Sequence, residues 1–524
     1  MGPNQFLYSG FIGLMMMAAL CDSANVLVTV VGIAGSQNLV MYRLAELMGQ
    51  RGHNVTVLKA EFLPEAKSIP LKHAREISYA LISDNETLQD VRSSMSELTW
   101  SQTESSPLPF GRVVKIFRTI RNGCERLLEN YEFIQSLKDS HFDVIVIHMV
   151  DFCSFGLTRV LNIDAYVWMS TAFMIDPMAW YSGSPLATSY VPNIGAPSDP
   201  TGQLTFADRI KNAIAAVSLL GLFEYGVVGS YTEVFRKKYG DNFPNFNELF
   251  QKTPLYFINS DPMFEYARPT AENVINVGGL TMKKTEPLNE YWQKIVDNAP
   301  KEGVVIFSLG SVANTNTMPQ QIRLSFLKAF QRFPHLFIWK FDGNFPEAKE
   351  VKNVHLAPWL PQKDLMAHAN VKAAIIHGGY NSLTEITYTG VPVIVLPLWG
   401  DQYGNAARVT RQNIGVKLDR RDLNEEKVYE ALSRVLYDES IRKNAQRLGQ
   451  MIREKPFSSL QQAAEWLEYL AKFKRLDQLQ PQSHHLYLFQ YFLLDVIIVI
   501  SSTLLLLIVV LGLCMKICCR KCLE

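Results

Sequence analysis

The sequence predicts an α/β protein with two Rossmann-like, doubly wound domains that face each other across a cleft, plus one C-terminal transmembrane helix. Three observations support this prediction. A β-rich run near residue 25 leads through a glycine turn into a helical pattern, the same succession restarts near residue 303, and an apolar run without charged residues lies close to the C-terminus. At 524 residues the chain is also too long for a single hydrophobic core.

The first half, residues 25–280, alternates strand and helix patterns. Asn25 to Val31 is β-rich, and apolar residues follow at helical spacing until Gly52. Further strands are predicted at 54–58, 143–147, 255–259 and 274–277, and helical segments at 85–135 and 208–239. We expect the largely apolar segment 208–239 to be a buried helix; the alternative is that its 219–228 part lines an acceptor pocket or touches a bilayer.

The second half, residues 281–475, follows a linker with paired glycines and lysines. Its first strand, 303–309, runs into Gly310 and Ser311. Further strands are predicted at 336–339, 354–357, 371–376 and 393–396, with helical patterns between them and a last amphipathic helix at 458–473. In two doubly wound domains, ligands are expected at the carboxyl ends of the strands.

The two ends of the chain predict a membrane protein. Phe6 to Leu20 is an apolar run followed by small and polar residues, so residues 1–24 predict a signal peptide. Residues 496–515 supply the ~20 apolar residues that a bilayer helix requires. Basic residues follow it, which places the tail 516–524 in the cytosol by the positive-inside rule. With 476–495 as a juxtamembrane linker, we expect a single-pass type I protein whose domains are luminal, in the endoplasmic reticulum.

Charge and cysteine content exclude several classes of protein. Lys+Arg (51) and Asp+Glu (50) nearly cancel, so nothing indicates a nucleic-acid partner. Four of the seven cysteines lie in the last eleven or so residues, so the chain has no disulfide framework. Cys124 and Cys153 could form one bridge, but we expect two unpaired buried thiols. Asn54 and Asn85 begin glycosylation sequons, of which Asn85 is better placed.

A glycine turn in the second half predicts a phosphate site. The strand 373–376 runs into His377-Gly378-Gly379-Tyr380-Asn381-Ser382, and a helix follows through Glu385. Glycines let the backbone approach a ligand closely, and the free N–H groups at the start of a helix suit a phosphate. His377 and Ser382 can add donors. A glycine pair by itself is equally consistent with a simple tight turn.

The residues around this turn predict recognition of a nucleotide sugar. Trp359 offers an aromatic face for a base, and Gln362 an amide for its edge. Glu385 can accept hydrogen bonds from ribose hydroxyls. The acid and amide pair Asp401 and Gln402 suits the hydroxyls of a sugar ring. Each residue also has a structural interpretation, as core, solvated helix face or helix cap, but their order and spacing together favour a binding site.

This constellation resembles a known signature. The pattern W-x-P-Q, then H-G-G-x-x-S-x-x-E, then P-x-x-x-x-P-L-x-x-D-Q is similar to that of the animal UDP-glycosyltransferases, including the UDP-glucuronosyltransferases, and the similarity spans the whole chain. The resemblance implies a GT-B fold and a UDP-sugar donor. The donor-site residues that it implies are Ser311, Trp359, Gln362, His377, Gly379, Asn381, Ser382, Glu385, Asp401 and Gln402.

The predicted catalytic residues depart from the family. Inverting members use a His in the first βα turn as general base, oriented by a carboxylate. In this sequence Gln37 occupies the position of the base, and His148 that of the carboxylate, with Asp151 three residues further. A carboxamide has no useful proton affinity. His148 could therefore act as the base with Asp151 as its partner, the acceptor could be an amine or acidic phenol that needs no base, or the protein could bind UDP-sugar without transferring it.

The resulting hypothesis is an enzyme that transfers a hexose, glucose or glucuronic acid, from a UDP-sugar to a small lipophilic acceptor with inversion. The alternative is a catalytically impaired UDP-sugar-binding protein or partner subunit, because Gln37 replaces the base. The sequence contains no Asp-x-Asp and no HExxH motif, so we expect neither a metal nor another cofactor. It does not decide between a monomer and a homo- or hetero-oligomer.

Overall fold

The computed structural model describes residues 23–33, 35–63, 68–100, 110–194, 204–282, 285–310, 313 and 315–523. The predicted signal peptide therefore lies outside the described residues, except for Ser23 and Ala24. Ser311 also lies outside them. Within the described chain, two parallel sheets covered by helices confirm the predicted α/β class.

The first sheet has seven strands in the order β3-β2-β1-β4-β5-β6-β7, all paired in parallel. They are β1 (Asn25–Val31), β2 (Asn54–Glu61), β3 (Arg75–Ala80), β4 (Val144–His148), β5 (Tyr166–Ser170), β6 (Leu255–Ile258) and β7 (Val274–Asn276). Strands β4, β5 and β6 are buried along their whole length, which explains their continuous apolar runs. The strand order reverses between β1 and β4, so this pair marks the switch point of the sheet.

Helices cover both faces of this sheet. They are α1 (Gly35–Gln50), α2 (Asn85–Trp100), α3 (Phe110–Glu129), α4 (Tyr131–Asp139), α5 (Phe152–Val160), α6 (Asp176–Ser182), α7 (Phe206–Phe223), α8 (Ser230–Tyr239) and α9 (Phe246–Gln251). A π-helical turn, Glu224–Gly229, joins α7 to α8. The caps are those expected for surface helices: for example, Thr205 and Asp208 form a reciprocal capping box at the start of α7.

The expectation of a buried helix at 208–239 is wrong for α7. Its face carrying Phe206, Ile214 and Val217 is 62–70% exposed, and Tyr225 beyond it is 88% exposed. Buried contacts are confined to the opposite face, at Asn212, Ala216 and Phe223. The segment Phe206–Tyr239 is one of two helical stretches in the described chain that are apolar enough to cross a membrane by length and composition. Sequence periodicity detected the helix but not that its apolar stripe has no covering partner among the described residues.

The second sheet has six parallel strands in the order β10-β9-β8-β11-β12-β13. They are β8 (Val304–Ser308), β9 (Leu336–Lys340), β10 (Val354–Ala357), β11 (Val371–Ile376), β12 (Val393–Val395) and β13 (Gly415–Lys417). Its helices are α10 (Glu290–Asp297), α11 (Gln320–Gln331), α12 (Gln362–Met366), α13 (Tyr380–Thr389), α14 (Gln402–Arg411), α15 (Glu425–Tyr437) and α16 (Glu439–Arg453). The switch point lies between β8 and β11.

The last helix of this unit, α17 (Ser459–Phe473), returns to the first sheet. Its residues Ala463, Ala464, Leu467 and Leu470 belong to the same buried cluster as β1, β4 and α1. The prediction that the second domain extends to residue 475 is therefore wrong for α17, which packs in the first domain. An amphipathic pattern shows that a face is buried but not which sheet buries it.

A second unit, Gln480–Glu524, follows the compact unit that ends at Leu479. It contains α18 (Leu488–Tyr491) and the long helix α19 (Leu494–Leu523). The segment Leu494–Arg520 has a mean hydropathy of 3.0 and none of its most apolar stretch is buried, so it is a candidate membrane span. The predicted span, 496–515, lies within it. The thiols of Cys514, Cys518 and Cys519 are free and exposed.

A disulfide joins Cys124 on α3 to Cys153 on α5. The expectation of two unpaired thiols is therefore wrong. The two residues are 29 positions apart, and the fold brings their Cα atoms to 5.7 Å, within the range that a disulfide requires. Cysteine spacing alone could not show that α3 and α5 pack side by side.

Candidate active site

The loops at the switch point of the second sheet form the first part of the site. Gly310 follows β8, and His377 follows β11. A Cβ atom on Gly310 would lie 2.6 Å from Cε1 of His377, and one on Gly379 would lie 2.4 Å from its Nε2. The imidazole therefore occupies space that only glycine leaves open. Gly310 also has a φ of +77°, a conformation that favours glycine.

The first N–H groups of α13 have no partner within the helix, as at any helix N-terminus. Gly379 is the N-cap of this helix and has no side chain that could cap them. Nδ1 of His377 is buried without a hydrogen-bond partner within the described chain. Burial, with the nearby charge of Lys340, lowers the pKa of His377 to about 4, so the ring is neutral at pH 7. Free helix N–H groups beside a neutral imidazole form a site that suits a phosphate.

Three predicted residues are connected by hydrogen bonds. Nε2 of Gln362 donates to Oγ of Ser382 at 3.2 Å and to Oε2 of Glu385 at 2.8 Å. Gln362 begins α12, whereas Ser382 and Glu385 lie on α13, so the amide joins two elements. Burial raises the pKa of Glu385 to about 7, although the bond from Gln362 opposes this shift. Trp359 nearby in sequence is 63% exposed, so its ring face is open to a ligand.

The acid and amide pair stands at the beginning of α14. Asp401 accepts a hydrogen bond from Nδ2 of Asn405 at 2.9 Å, and burial raises the pKa of this carboxyl to about 6. Oε1 of Gln402 accepts from the backbone N–H of Leu398 at 2.8 Å. The amide oxygen of Gln402 therefore shapes the preceding loop.

Lys340 was not predicted from the sequence. It ends β9, and its Nζ donates to the carbonyl of Gly310 at 2.7 Å. Burial lowers its pKa from the ordinary lysine value. The lysine adds positive charge at the loop of Gly310, near enough to His377 to contribute to the lowered pKa of its imidazole. In the sequence, only its position at the end of a predicted strand could have indicated a site residue.

The predicted catalytic residues lie at the switch point of the first sheet. Gln37 is half-buried in the first turn of α1, directly after β1, and His148 ends the neighbouring strand β4. His148 is fully buried, and this burial lowers its pKa to about 3. Its Nδ1 accepts from the N–H of Val150 at 3.4 Å, and its Nε2 has no partner within the described chain. In the neutral ring this arrangement places the proton on Nε2.

Asp151 is turned toward other groups. It is the N-cap of α5 and accepts from both the N–H and the hydroxyl of Ser154, at 3.2 and 2.6 Å. Burial raises the pKa of Asp151, and bonds from Ser154 and Thr29 oppose the shift. The Oγ1 of Thr29 also accepts from the backbone N–H of His148 at 3.0 Å. The carboxylate thus stabilises the beginning of α5 rather than orienting the imidazole.

Contacts between the halves bring the loop after β5 against the beginning of α13. Ala172 and Phe173, which follow β5, form a buried cluster with Tyr380 at the beginning of α13. The rings of Phe173 and Tyr380 are 6.5 Å apart.

In the described part of the chain, no group of three or more His, Cys, Asp and Glu side chains could hold a metal ion.

Two parallel, doubly wound sheets, each with predicted site residues at its switch point, define the GT-B class of fold. Solved structures share this fold. A crystal structure of Os79 from O. sativa in complex with UDP has a TM-score of 0.57 at 17% identity, covering 85% of this chain and 99% of its own. The glycosyltransferase VinC in complex with DTDP gives 0.53 at 15% identity, covering 86% of this chain and 100% of its own.

The family follows from sequence comparison. The family model described as UDP-glucoronosyl and UDP-glucosyl transferase matches residues 25–524, and the chain belongs to this family. The 2-hydroxyacylsphingosine 1-beta-galactosyltransferase of Rattus norvegicus is 30% identical over 93% of this chain and 88% of its own length. UDP-glucuronosyltransferase 1A1 of Mus musculus is 29% identical over 93% and 90%. The chain is therefore a UDP-glycosyltransferase, and these relatives give no support to the non-catalytic alternative.

Proposed function

We propose that the chain transfers a hexose from a UDP-sugar to a small lipophilic acceptor whose nucleophile, an amine or an acidic phenol, needs little help from a general base. The hydrogen-bonded group of Gln362, Ser382 and Glu385 carries the donor half of this proposal. It joins α12 to Ser382 near the beginning of α13 and to Glu385, the carboxylate proposed to bind the ribose. In this proposal Trp359 stacks on uracil, and His377, Asn381 and the N–H groups after Gly379 bind the diphosphate.

In this proposal the neighbouring loops bind the sugar and stabilise UDP as it leaves. Asp401 and the NH₂ of Gln402 bind sugar hydroxyls. Lys340 and the helix N-terminus at Gly379 stabilise the negative charge that develops on UDP as the glycosidic bond breaks. No metal ion is needed in this scheme, because the charge is met by donors of the chain.

The acceptor part of the proposal rests on the protonation state of His148. A histidine with a pKa of about 3 and its proton on Nε2 is a poor base at pH 7. Asp151, bonded to Ser154, does not raise its proton affinity. Gln37 can orient an acceptor by hydrogen bonds but cannot take its proton. General-base help is typically worth about 10²–10⁴-fold in rate, so acceptors that ionise easily or carry a free amine lose least without it.

Release of UDP from UDP-glucose and UDP-glucuronic acid, measured with amines, acidic phenols and aliphatic alcohols, tests this function. We expect release with the first two classes and little with alcohols. Binding of UDP-sugar by calorimetry, without release for any acceptor, would contradict it.

The variant Gln37→His tests the missing base. We expect it to increase the rate with ordinary phenols and alcohols by about 10-fold or more, and to change the rate with amines little. His148→Ala serves as the paired variant. We expect it to leave the rate with amines within about threefold, because His148 does not take the acceptor's proton in this proposal. A large loss in His148→Ala with unchanged UDP binding would instead identify His148 as the base.

We also propose a type I membrane protein with the compact unit in the lumen of the endoplasmic reticulum. The Cys124–Cys153 disulfide indicates an oxidising compartment for that unit. The free thiols of Cys514, Cys518 and Cys519 on α19 are consistent with a tail on the reducing side. Exposed Asn85 and Asn54 are the glycosylation sites available to the luminal unit. A native protein without any glycosidase-sensitive mass shift, with the same mobility as the double variant Asn85→Gln with Asn54→Gln, would contradict the luminal assignment.

A further inference from the structure

One carboxylate of the first domain holds two helices of the second. Glu265 lies in the loop that follows β6. Its Oε1 accepts a hydrogen bond from the hydroxyl of Tyr380 on α13 at 3.0 Å. Its Oε2 accepts from Nε of Arg408 on α14 at 2.8 Å, and Nη2 of the same guanidinium is also 2.8 Å away. The two oxygens are thus divided between two helices.

The surroundings hold this bridge in one geometry. The side chain of Arg408 is only 2% exposed, and that of Glu265 15%. The guanidinium of Arg408 lies 4.1 Å from the ring centroid of Phe173, which follows β5 in the first domain. Farther along α14, Gln412 donates to the carbonyl of Met263 at 3.1 Å. A buried ion pair in which two guanidinium nitrogens share one carboxylate oxygen, with a ring on one side of the guanidinium, has little freedom to reorient.

Both helices begin at the donor site. Tyr380 directly follows Gly379, the N-cap at which the first N–H groups of α13 lie. Arg408 lies six residues, or about 9 Å, after Gln402, the first residue of α14. A tilt of α14 by about 6° around Arg408 would therefore move Gln402 by about 1 Å. A displacement of that size can cost about 10²-fold in rate when reacting groups must be aligned.

We infer that Glu265 is a positioning residue, which joins α13 and α14 to the first domain and so sets how the bound sugar faces the acceptor. This inference rests on the proposed transfer reaction. Glu265 touches neither donor nor acceptor in this scheme. Its role is to keep the site for the diphosphate and the site for the sugar in one orientation relative to the switch point at β1 and β4.

The variants Glu265→Gln and Tyr380→Phe test the inference in the full-length protein. The first keeps the size of the side chain but removes its charge, and the second removes a single hydrogen bond. We expect kcat for transfer to fall by about tenfold or more in Glu265→Gln and by a smaller factor in Tyr380→Phe. The Kd of UDP should remain within about twofold, because neither variant removes a group that touches UDP.

Glu468→Gln is the matched control. Glu468 on α17 also joins distant parts of the chain, since it accepts from Arg51 at 2.6 Å and contacts His53 at 3.0 Å. It contacts neither α13 nor α14 in any bond that the structure describes for it. We expect Glu468→Gln to retain the native kcat. An equal loss in Glu468→Gln and Glu265→Gln would show a general effect on stability and overturn the inference.

The double variant Glu265→Gln with Arg408→Met separates positioning from stability. It removes both charges, so no unpaired guanidinium remains buried. We expect its thermal midpoint to recover toward that of the native protein while kcat stays low. Recovery of kcat together with the midpoint would overturn the positioning role.

Hydrogen exchange provides a readout that does not require transfer. UDP alone should protect the beginning of α13 and, through Glu265, the loop 261–266. In Glu265→Gln and Tyr380→Phe we expect the protection at α13 to remain and that at 261–266 to disappear. Unchanged protection of the loop in both variants would overturn the inference. Failure of the native protein to transfer any sugar, with this coupling intact, would contradict the proposed function instead.

Discussion

At the scale of single residues, burial determines the protonation states of the site. His148 and His377 are both neutral at pH 7, because water is excluded from the rings and the charged form is disfavoured. The same effect acts in the opposite direction on carboxyls, and it brings the pKa of Glu385 to about 7 and that of Asp401 to about 6. The carboxyl of Glu385 therefore titrates in the physiological range.

UDP binding should weaken as the pH falls below 7. Ionised Glu385 accepts hydrogen bonds from ribose hydroxyls, whereas its protonated form loses much of this capacity. Its pKa of about 7 lies above the ordinary value, so the competent form is lost as the pH falls through 7. We expect the Kd of UDP to rise between pH 8 and pH 6, by at most about tenfold per pH unit.

Calorimetry of UDP with the native protein and Glu385→Gln measures this effect. UDP itself titrates near the lower end of this range, so the difference between the two proteins is the relevant quantity. His377, with a pKa of about 4, does not contribute between pH 6 and pH 8. Parallel pH profiles in the two proteins would show that Glu385 does not control the dependence.

At the scale of elements, the loops after β8 and β11 depend on each other. The imidazole of His377 lies against both Gly310 and Gly379, and Lys340 of β9 binds the carbonyl of Gly310. Three strand ends therefore determine one surface. In the proposed function, the first N–H groups of α13 depend on this arrangement to approach the diphosphate.

The variant Gly310→Ala should weaken UDP binding by about tenfold or more. An added Cβ would lie 2.6 Å from the ring of His377, and the φ of +77° costs a non-glycine residue about 1–2 kcal/mol. Displacement titration with UDP measures the loss. Gly221→Ala, on an exposed turn of α7 where a Cβ meets nothing within 4 Å, is the control and should bind UDP normally. Normal binding by both variants would contradict the role of Gly310.

At the scale of the whole molecule, contacts over long sequence distances hold the first domain together. The helix α17 closes the core around β1 and β4, more than 300 residues after them. The disulfide between Cys124 and Cys153 fixes α3 against α5. Because α5 begins four residues after His148, this bridge also supports the switch point of the first sheet.

Removal of the disulfide should lower stability without abolishing UDP binding. Opening a loop of 29 residues corresponds to about 3–4 kcal/mol in the chain-entropy description. We expect the thermal midpoint of Cys124→Ser with Cys153→Ser to fall by several degrees. The variant Cys518→Ser with Cys519→Ser, whose thiols are free, should keep the native midpoint. Equal midpoints in both double variants would contradict the stabilising role of the bridge.

Much of the donor site is local in sequence. The proposed contacts to uracil, ribose, diphosphate and sugar come mainly from one stretch of chain, Trp359 to Gln402. In this stretch, the strands lead directly into the proposed binding loops. Strand ends and glycine turns are visible as changes of pattern, so sequence reasoning predicts them. Lys340 and Glu265 lie outside this stretch, in patterns that are ordinary for a strand end and a surface loop.

The sequence by itself determined the two doubly wound sheets, the candidate span and the segment of the donor site, because periodicity and turn residues report how each element is built. Only the tertiary structure decided that Cys124 meets Cys153, that α17 returns to the first sheet, that α7 is left exposed, and that Glu265 joins α13 and α14. A pattern shows that a face is apolar or that a side chain can ionise. Which partner covers that face, and how far water is excluded from that side chain, depends on packing between segments that are distant in sequence.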